Sequence, residues 1–181
     1  MHGKEREFQA INFLPRDVLD AIREPWRVFW PPRGRKQSWD AIARAGDRWF
    51  LVEAKANHVE FCSPGTTAEG DGRKQIERSL SRVKRSLRVH RHFSWLHSYY
   101  QYANRLATLA FLRDNGLDAR LVVVYFVGDR FPDERPCPQS ETEWRRLFEA
   151  RRLTLGLPKK HRLSQFEYDL FVQLPVCNDA W

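Results

Sequence analysis

The chain has 181 residues, 30% of them charged and 42% apolar, which suits one globular domain over residues 1–181 and argues against a disordered or fibrous chain. Its net charge of +8 at pH 7 and pI near 9.8 favour polyanionic partners, nucleic acid above all. Residues 1–8 lack the apolar stretch of a signal peptide, no apolar run is long enough to span a bilayer, and Cys62, Cys137 and Cys177 are too few and too scattered for a disulfide framework or a zinc ribbon, so the expectation is a cytoplasmic protein with ordinary thiols and no membrane partner.

Residues 14–24 read as a short helix, with Pro15 near its start and Pro25 just past its end. Residues 26–30 read as a first strand stopped by Pro31 and Pro32, and residues 33–37 as a basic loop. Residues 38–45 and 48–56 are strand-like runs separated by Gly46 and Asp47. Residues 57–72, rich in Gly, Ser, Thr and acids, read as a loop. Residues 73–92 form a basic amphipathic helix in which Ile76, Leu80, Val83 and Leu87 make one apolar stripe. Residues 93–115 read as a second, more buried helix ending at Gly116. Residues 121–127 are a β-branched run of the kind found in a central strand covered on both faces. A Pro-rich loop follows over 128–140, then a short helix over 141–152 and a last strand over 167–174.

The informative segment is the pair of strands around Gly46. A two-residue turn there sets Ala45 opposite Arg48 and Asp40 opposite Glu53. Lys55 lies two residues beyond Glu53 and projects from the same face. Opposed β-carbons are about 4.5–5.5 Å apart, and two carboxylates at that distance repel by roughly 3 kcal/mol at an effective dielectric of 20. A cation between them removes the conflict, and Mg²⁺ or Mn²⁺ suits carboxylate oxygens. The competing reading is an ion-pair cluster on a half-exposed strand, because a Glu-x-Lys match is common by chance.

Asp40 followed by Glu53-Ala54-Lys55 resembles the signature of the PD-(D/E)XK nuclease superfamily, with Trp39 where the name of the superfamily has Pro. The resemblance covers roughly residues 26–127. It implies a restriction-endonuclease-like α/β core: a helix, a three-stranded meander, a further helix and a fourth strand, giving a mixed central sheet of about four to five strands flanked by helices. It also implies Asp40, Glu53 and the Ala54 carbonyl as metal ligands, Lys55 as the residue that positions the attacking water, and an acid from the first helix, for which Asp20 and Glu24 are candidates and Glu5 a weaker one. RecB-like members carry a Gln on the helix after the lysine strand. Gln101 fits that position, although Arg105 stands where those members have Tyr. Short phrases around Trp39, Glu53 and Gln101 also resemble a bacterial family of uncharacterised members of the superfamily.

Gln101, Asn104, Arg105 and Thr108 make one polar stripe on an otherwise apolar helix, which faces water or lines a site; with the resemblance, the site is favoured. Arg73, Lys74, Arg78, Arg82, Lys84, Arg85 and Arg88 crowd the preceding helix and suit a rail for phosphates. The expectation is a metal-dependent phosphodiesterase acting on DNA or RNA, with DNA favoured and a homodimer left open. The alternatives are a nucleic-acid-binding module of the same fold without turnover and a basic protein-interaction domain.

Overall fold

The computed structural model describes residues 8–34, 37–130 and 136–175. A short strand β1 (Phe8–Gln9) precedes α1 (Arg16–Phe29) and pairs with β2 (Ser38–Trp39) in a small two-stranded sheet. The main sheet holds β3 (Ala41–Ala45), β4 (Arg48–Lys55), β5 (Asp118–Val127) and β6 (Glu167–Gln173) in that spatial order. Between β4 and β5 the chain forms α2 (His58–Cys62), α3 (Gly70–Ser86) and α4 (Tyr100–Asp114); α5 (Glu141–Leu155) joins β5 to β6. The β3–β4 pair is antiparallel and the other two pairs are parallel, so this is an α/β chain with a mixed four-stranded sheet. Among the described residues, no helix is long and apolar enough to cross a membrane.

The strand expected over residues 26–30 is instead the end of α1 and the turn after it. Pro25 does not stop the helix, although a proline inside a helix costs about 3 kcal/mol. Ile22, Trp26 and Phe29 recur at helical spacing, and the rings of Trp26 and Phe29 lie 4.9 and 5.1 Å from that of Phe111 on α4. Each such side chain contributes roughly 1.5–3 kcal/mol on burial, which offsets the proline. The three-stranded meander is therefore reduced to a hairpin, with β3 at the edge of the sheet.

Both the basic and the buried helix are shorter than their sequence patterns. The first spans 70–86 rather than 73–92, and the second begins at Tyr100 rather than near 93, after Tyr99 turns to φ +63°. The region read as a loop over 57–72 holds α2, capped by the Asn57 side chain, which accepts a hydrogen bond from the Glu60 N–H at 2.9 Å.

Chain direction decides where the core lies. β4, β5 and β6 are parallel and advance one way across the sheet, so right-handed crossovers set α4 and α5 on the same face. Leu51, Leu121, Val123 and Tyr125 point into that face and are at most 5% exposed. The Trp144 and Phe148 rings of α5 lie 4.9 and 4.6 Å from that of Tyr125. The expectation was a central strand covered on both faces; the alternate residues of β5 are half-buried rather than buried, and among the described residues α4 and α5 lie on one face only.

Candidate active site

Gly46 takes φ +60°, as the first central residue of a two-residue hairpin turn requires, and the register runs from Ala45 opposite Arg48 to Ala41 opposite Val52. This is the predicted register. The ladder stops one pair short of Asp40, where the chain bends and the Asp40 N–H donates to the Val52 carbonyl at 3.2 Å. Asp40 is exposed, and its Oδ2 accepts the Ala54 N–H at 2.6 Å. The carboxylate thus sits at the edge of β4, beside the peptide that lies between Glu53 and Lys55.

Glu53 points into the covered face and is 4% exposed. Its Oε1 accepts Lys55 Nζ at 2.6 Å and Gln101 Nε2 at 2.5 Å, while Lys55 Nζ also donates to Gln101 Oε1 at 2.9 Å. The three side chains close a triangle. Gln101 is held in register because its own N–H donates to Ser63 Oγ at 3.1 Å, tying the first turn of α4 to the end of α2. Glu53 Oε2 accepts Arg105 Nε at 2.8 Å and pairs with the terminal NH2 nitrogen at 2.7 Å. Arg105 is itself buried, donates to the Ser38 carbonyl at 2.5 Å and lies 4.4 Å from the centroid of the Trp39 ring.

A buried carboxylate is tolerated only when it is paired and hydrogen-bonded, and Glu53 meets that condition fully. Four donors occupy its lone pairs, two on each oxygen. With Lys55 and Arg105 against Glu53 the buried cluster carries one net positive charge.

Of the sequence-predicted residues, Glu53, Lys55 and Gln101 are in contact, and Asp40 reaches the same stretch of β4 through the backbone of Ala54. Asp20 and Glu24 spend their charge along α1, on Arg23 at 2.5 Å and Arg27 at 2.6 Å, and Glu5, like Cys177, lies outside the described residues. Arg105 was legible as part of the polar stripe; its pairing with Glu53 was not. The signal was its spacing, one helical turn after Gln101 on the same side of α4.

Among the described residues, no three His, Cys, Asp or Glu side chains gather as a metal site. The oxygen groups along this stretch of β4 are the second oxygen of Asp40, the Ala54 carbonyl and the buried carboxylate of Glu53. The carbonyl points to the same strand edge as the Ala54 N–H that Asp40 accepts. All are hard donors suited to Mg²⁺ or Mn²⁺, which binds one or two carboxylates and keeps several waters. Glu53 joins such a set only where Lys55 and Gln101 give up Oε1.

No family model, curated protein or solved structure matches the chain.

On α3, Lys74, Arg78, Arg82 and Arg85 follow one another at helical spacing on the exposed side, a stripe of about 16 Å at 1.5 Å per residue. Arg88 is exposed just past the helix end, and Arg73 is half-buried. Lys84 leaves the expected rail. It is 9% exposed, and its ammonium donates to the carbonyls of Arg91 and Phe93 at 3.3 and 2.7 Å. Burial lowers its pKa, with Glu77 acting against the shift. It holds the turn after α3 and is not available to phosphate.

Sequence reasoning also missed a second buried polar network across β5. Arg151 of α5 stacks 3.7 Å from the centroid of the Tyr102 ring and donates to the Tyr125 hydroxyl at 3.2 Å. The Tyr102 hydroxyl donates to Glu167 Oε2 at 2.5 Å. Burial pushes the Glu167 carboxyl up to about 6, against the hydrogen bond from Tyr102 and the charge of Arg151. Tyr125 is the ladder partner of Lys55, and Tyr102 follows Gln101 on α4, so this network buttresses the candidate site from behind.

Proposed function

We propose that this protein hydrolyses phosphodiester bonds in nucleic acid, with DNA favoured over RNA, and that it uses Mg²⁺ or Mn²⁺ held by Asp40 and Glu53 with the Ala54 carbonyl as a further ligand. The observation that carries the reading is the triangle of Glu53, Lys55 and Gln101 beside Asp40, on a strand edge one helix away from a basic stripe. The cation, when bound, supplies Lewis acidity at the phosphoryl group. Lys55 orients the attacking water and offsets negative charge that builds on the phosphoryl oxygens. Gln101 fixes the ammonium of Lys55, and Arg105 anchors the far oxygen of Glu53 so that the near oxygen stays on the Lys55 side. Lys74, Arg78, Arg82 and Arg85 hold the phosphate backbone without reading sequence. The fold is in keeping with a restriction-endonuclease-like core in its hairpin, the parallel strand β5 after α4 and the helix before the hairpin; the absent third meander strand departs from it.

The saturation of Glu53 favours a second reading, a nucleic-acid-binding module in which the same cluster is a buried ion-pair network with no turnover. Plasmid nicking in Mn²⁺ separates the two. The hydrolase reading expects nicking that Lys55→Ala abolishes while circular dichroism stays native. Equal background in wild type and variant, with DNA binding retained, supports the binding module.

A further inference from the structure

A pocket of about 160 Å³ opens beside the basic stripe, between α3 and the turn over residues 91–95. Glu77, Ser81 and Lys84 form its α3 wall, and each directly precedes a residue of the stripe, Arg78, Arg82 or Arg85. One residue is about 100° around a helix, so this wall is the column adjoining the stripe. The other wall, with Arg91, His92 and Phe93, is held from behind. The Lys84 ammonium clasps the carbonyls of Arg91 and Phe93, the Phe93 ring lies flush on Gly156, where a Cβ would strike it, and the Trp95 indole donates to the Leu155 carbonyl at 2.9 Å. The pocket is therefore formed before any ligand arrives.

We propose that this pocket takes an unpaired cytosine from a strand whose phosphates lie along Lys74, Arg78, Arg82 and Arg85. Size is the first reason. A cavity of about 150 Å³ takes one benzene ring, so a single six-membered ring fits here and a two-ring purine is oversized. The second is stacking: the His92 and Phe93 rings, with centroids 4.1 Å apart, give the pocket an aromatic wall. The third is the order of polar groups. Glu77 is exposed at the mouth, and its carboxylate makes no hydrogen bond or ion pair among the described residues, although its charge acts on the Lys84 ammonium. On a helix that otherwise presents cations to a polyanion, such a carboxylate opposes binding unless it meets a donor. Cytosine supplies one in its exocyclic amine, the group that carboxylates accept from. Lys84 is buried and keeps one ammonium N–H after its two carbonyls, and Ser81 adds a hydroxyl; these donate to the ring N3 and to O2. Thymine and uracil set the carbonyl O4 against Glu77 where cytosine sets its amine. The inference rests on the reading of α3 as a phosphate rail and is independent of hydrolysis.

The test is fluorescence anisotropy of the full chain with labelled single strands of about twelve nucleotides, all deoxycytidine or all thymidine. The buffer is near neutral pH and contains EDTA, which withholds the cation that hydrolysis needs. Wild type is compared with Glu77→Gln, which replaces the carboxylate, and with Ser81→Trp, which fills the pocket; circular dichroism checks that each variant folds. The expected result is that wild type binds the cytosine strand at least about tenfold more tightly than the thymine strand, and that each variant brings the ratio below about threefold. Salt-dependent binding of both strands with equal affinity overturns the cytosine pocket and leaves the phosphate rail standing. A preference that survives in both folded variants overturns it too, because the discrimination then lies elsewhere. Absence of binding to either strand at low salt overturns the pocket and the rail together.

Discussion

Replacing Arg105 with alanine removes one of the two cations that keep Glu53 buried. The guanidinium meets Glu53 Oε2 through two nitrogens at 2.8 and 2.7 Å, both side chains are at most 5% exposed, and Arg105 also holds the Ser38 carbonyl and lies over Trp39. Breaking a buried pair by deleting one partner costs about 3–5 kcal/mol, because the other charge stays buried. Glu53 retains Lys55 and Gln101, so the lower end, about 3 kcal/mol, is expected. Against a total stability of roughly 5–15 kcal/mol, that is a large fraction. Urea unfolding followed by tryptophan fluorescence reads it: with a slope of about 2 kcal/mol per molar, the midpoint falls by roughly 1.5 M. A double-mutant cycle of Arg105→Met with Glu53→Gln isolates the pair and is expected to give a coupling above about 2 kcal/mol. A loss under about 1 kcal/mol, or additive single effects, refutes the claim that Arg105 anchors the carboxylate.

Three further outcomes follow from the same geometry. Lys55→Ala removes the one cationic donor from Glu53 Oε1 and leaves only the Gln101 amide there, so calorimetry is expected to show tighter Mn²⁺ binding even as cleavage is lost; weaker binding contradicts the competition between ammonium and cation. Substituting Arg78, Arg82 and Arg85 together with alanine is expected to reduce the salt slope of duplex DNA binding by about 3, near 0.9 for each phosphate no longer neutralised; an unchanged slope removes α3 from the interface. Glu167 titrates near 6 in the folded chain against an ordinary 4.5, so its contribution to stability is fully present below 4.5 and is lost as pH rises through 6. The difference is about 2 kcal/mol at neutral pH. Glu167→Gln is therefore expected to flatten the stability profile between pH 4.5 and 6, and an unaltered profile in urea titrations rules out Glu167 as its source.

What the sequence reveals here is governed by how local the cause is. The hairpin register was legible because Gly46 and Asp47 specify a tight turn and the two-residue period then fixes every partner from Ala45 to Ala41. Glu53 and Lys55 were legible as neighbours on one face for the same reason, whereas Gln101 was singled out through the resemblance and the polar stripe of its helix. The extension of α1 past Pro25 was not, because Phe111 lies more than eighty residues away and its packing, not local propensity, keeps the helix going. Lys84 read as one more exposed cation; only the turn at 91–93 that it clasps shows otherwise. The Val-rich strand read as doubly covered because its composition fits that pattern, whereas the coverage of its second face is a matter of topology.

The proposed chemistry depends on Asp40 and Glu53 acting together as oxygen ligands at the edge of β4. The direct measurement is the anomalous difference map of a crystal soaked in Mn²⁺. A single peak within coordination distance of Asp40 and Glu53, with the Lys55 ammonium moved off the glutamate, is the predicted result. A map with no peak there, the four donors still in place around Glu53, contradicts it.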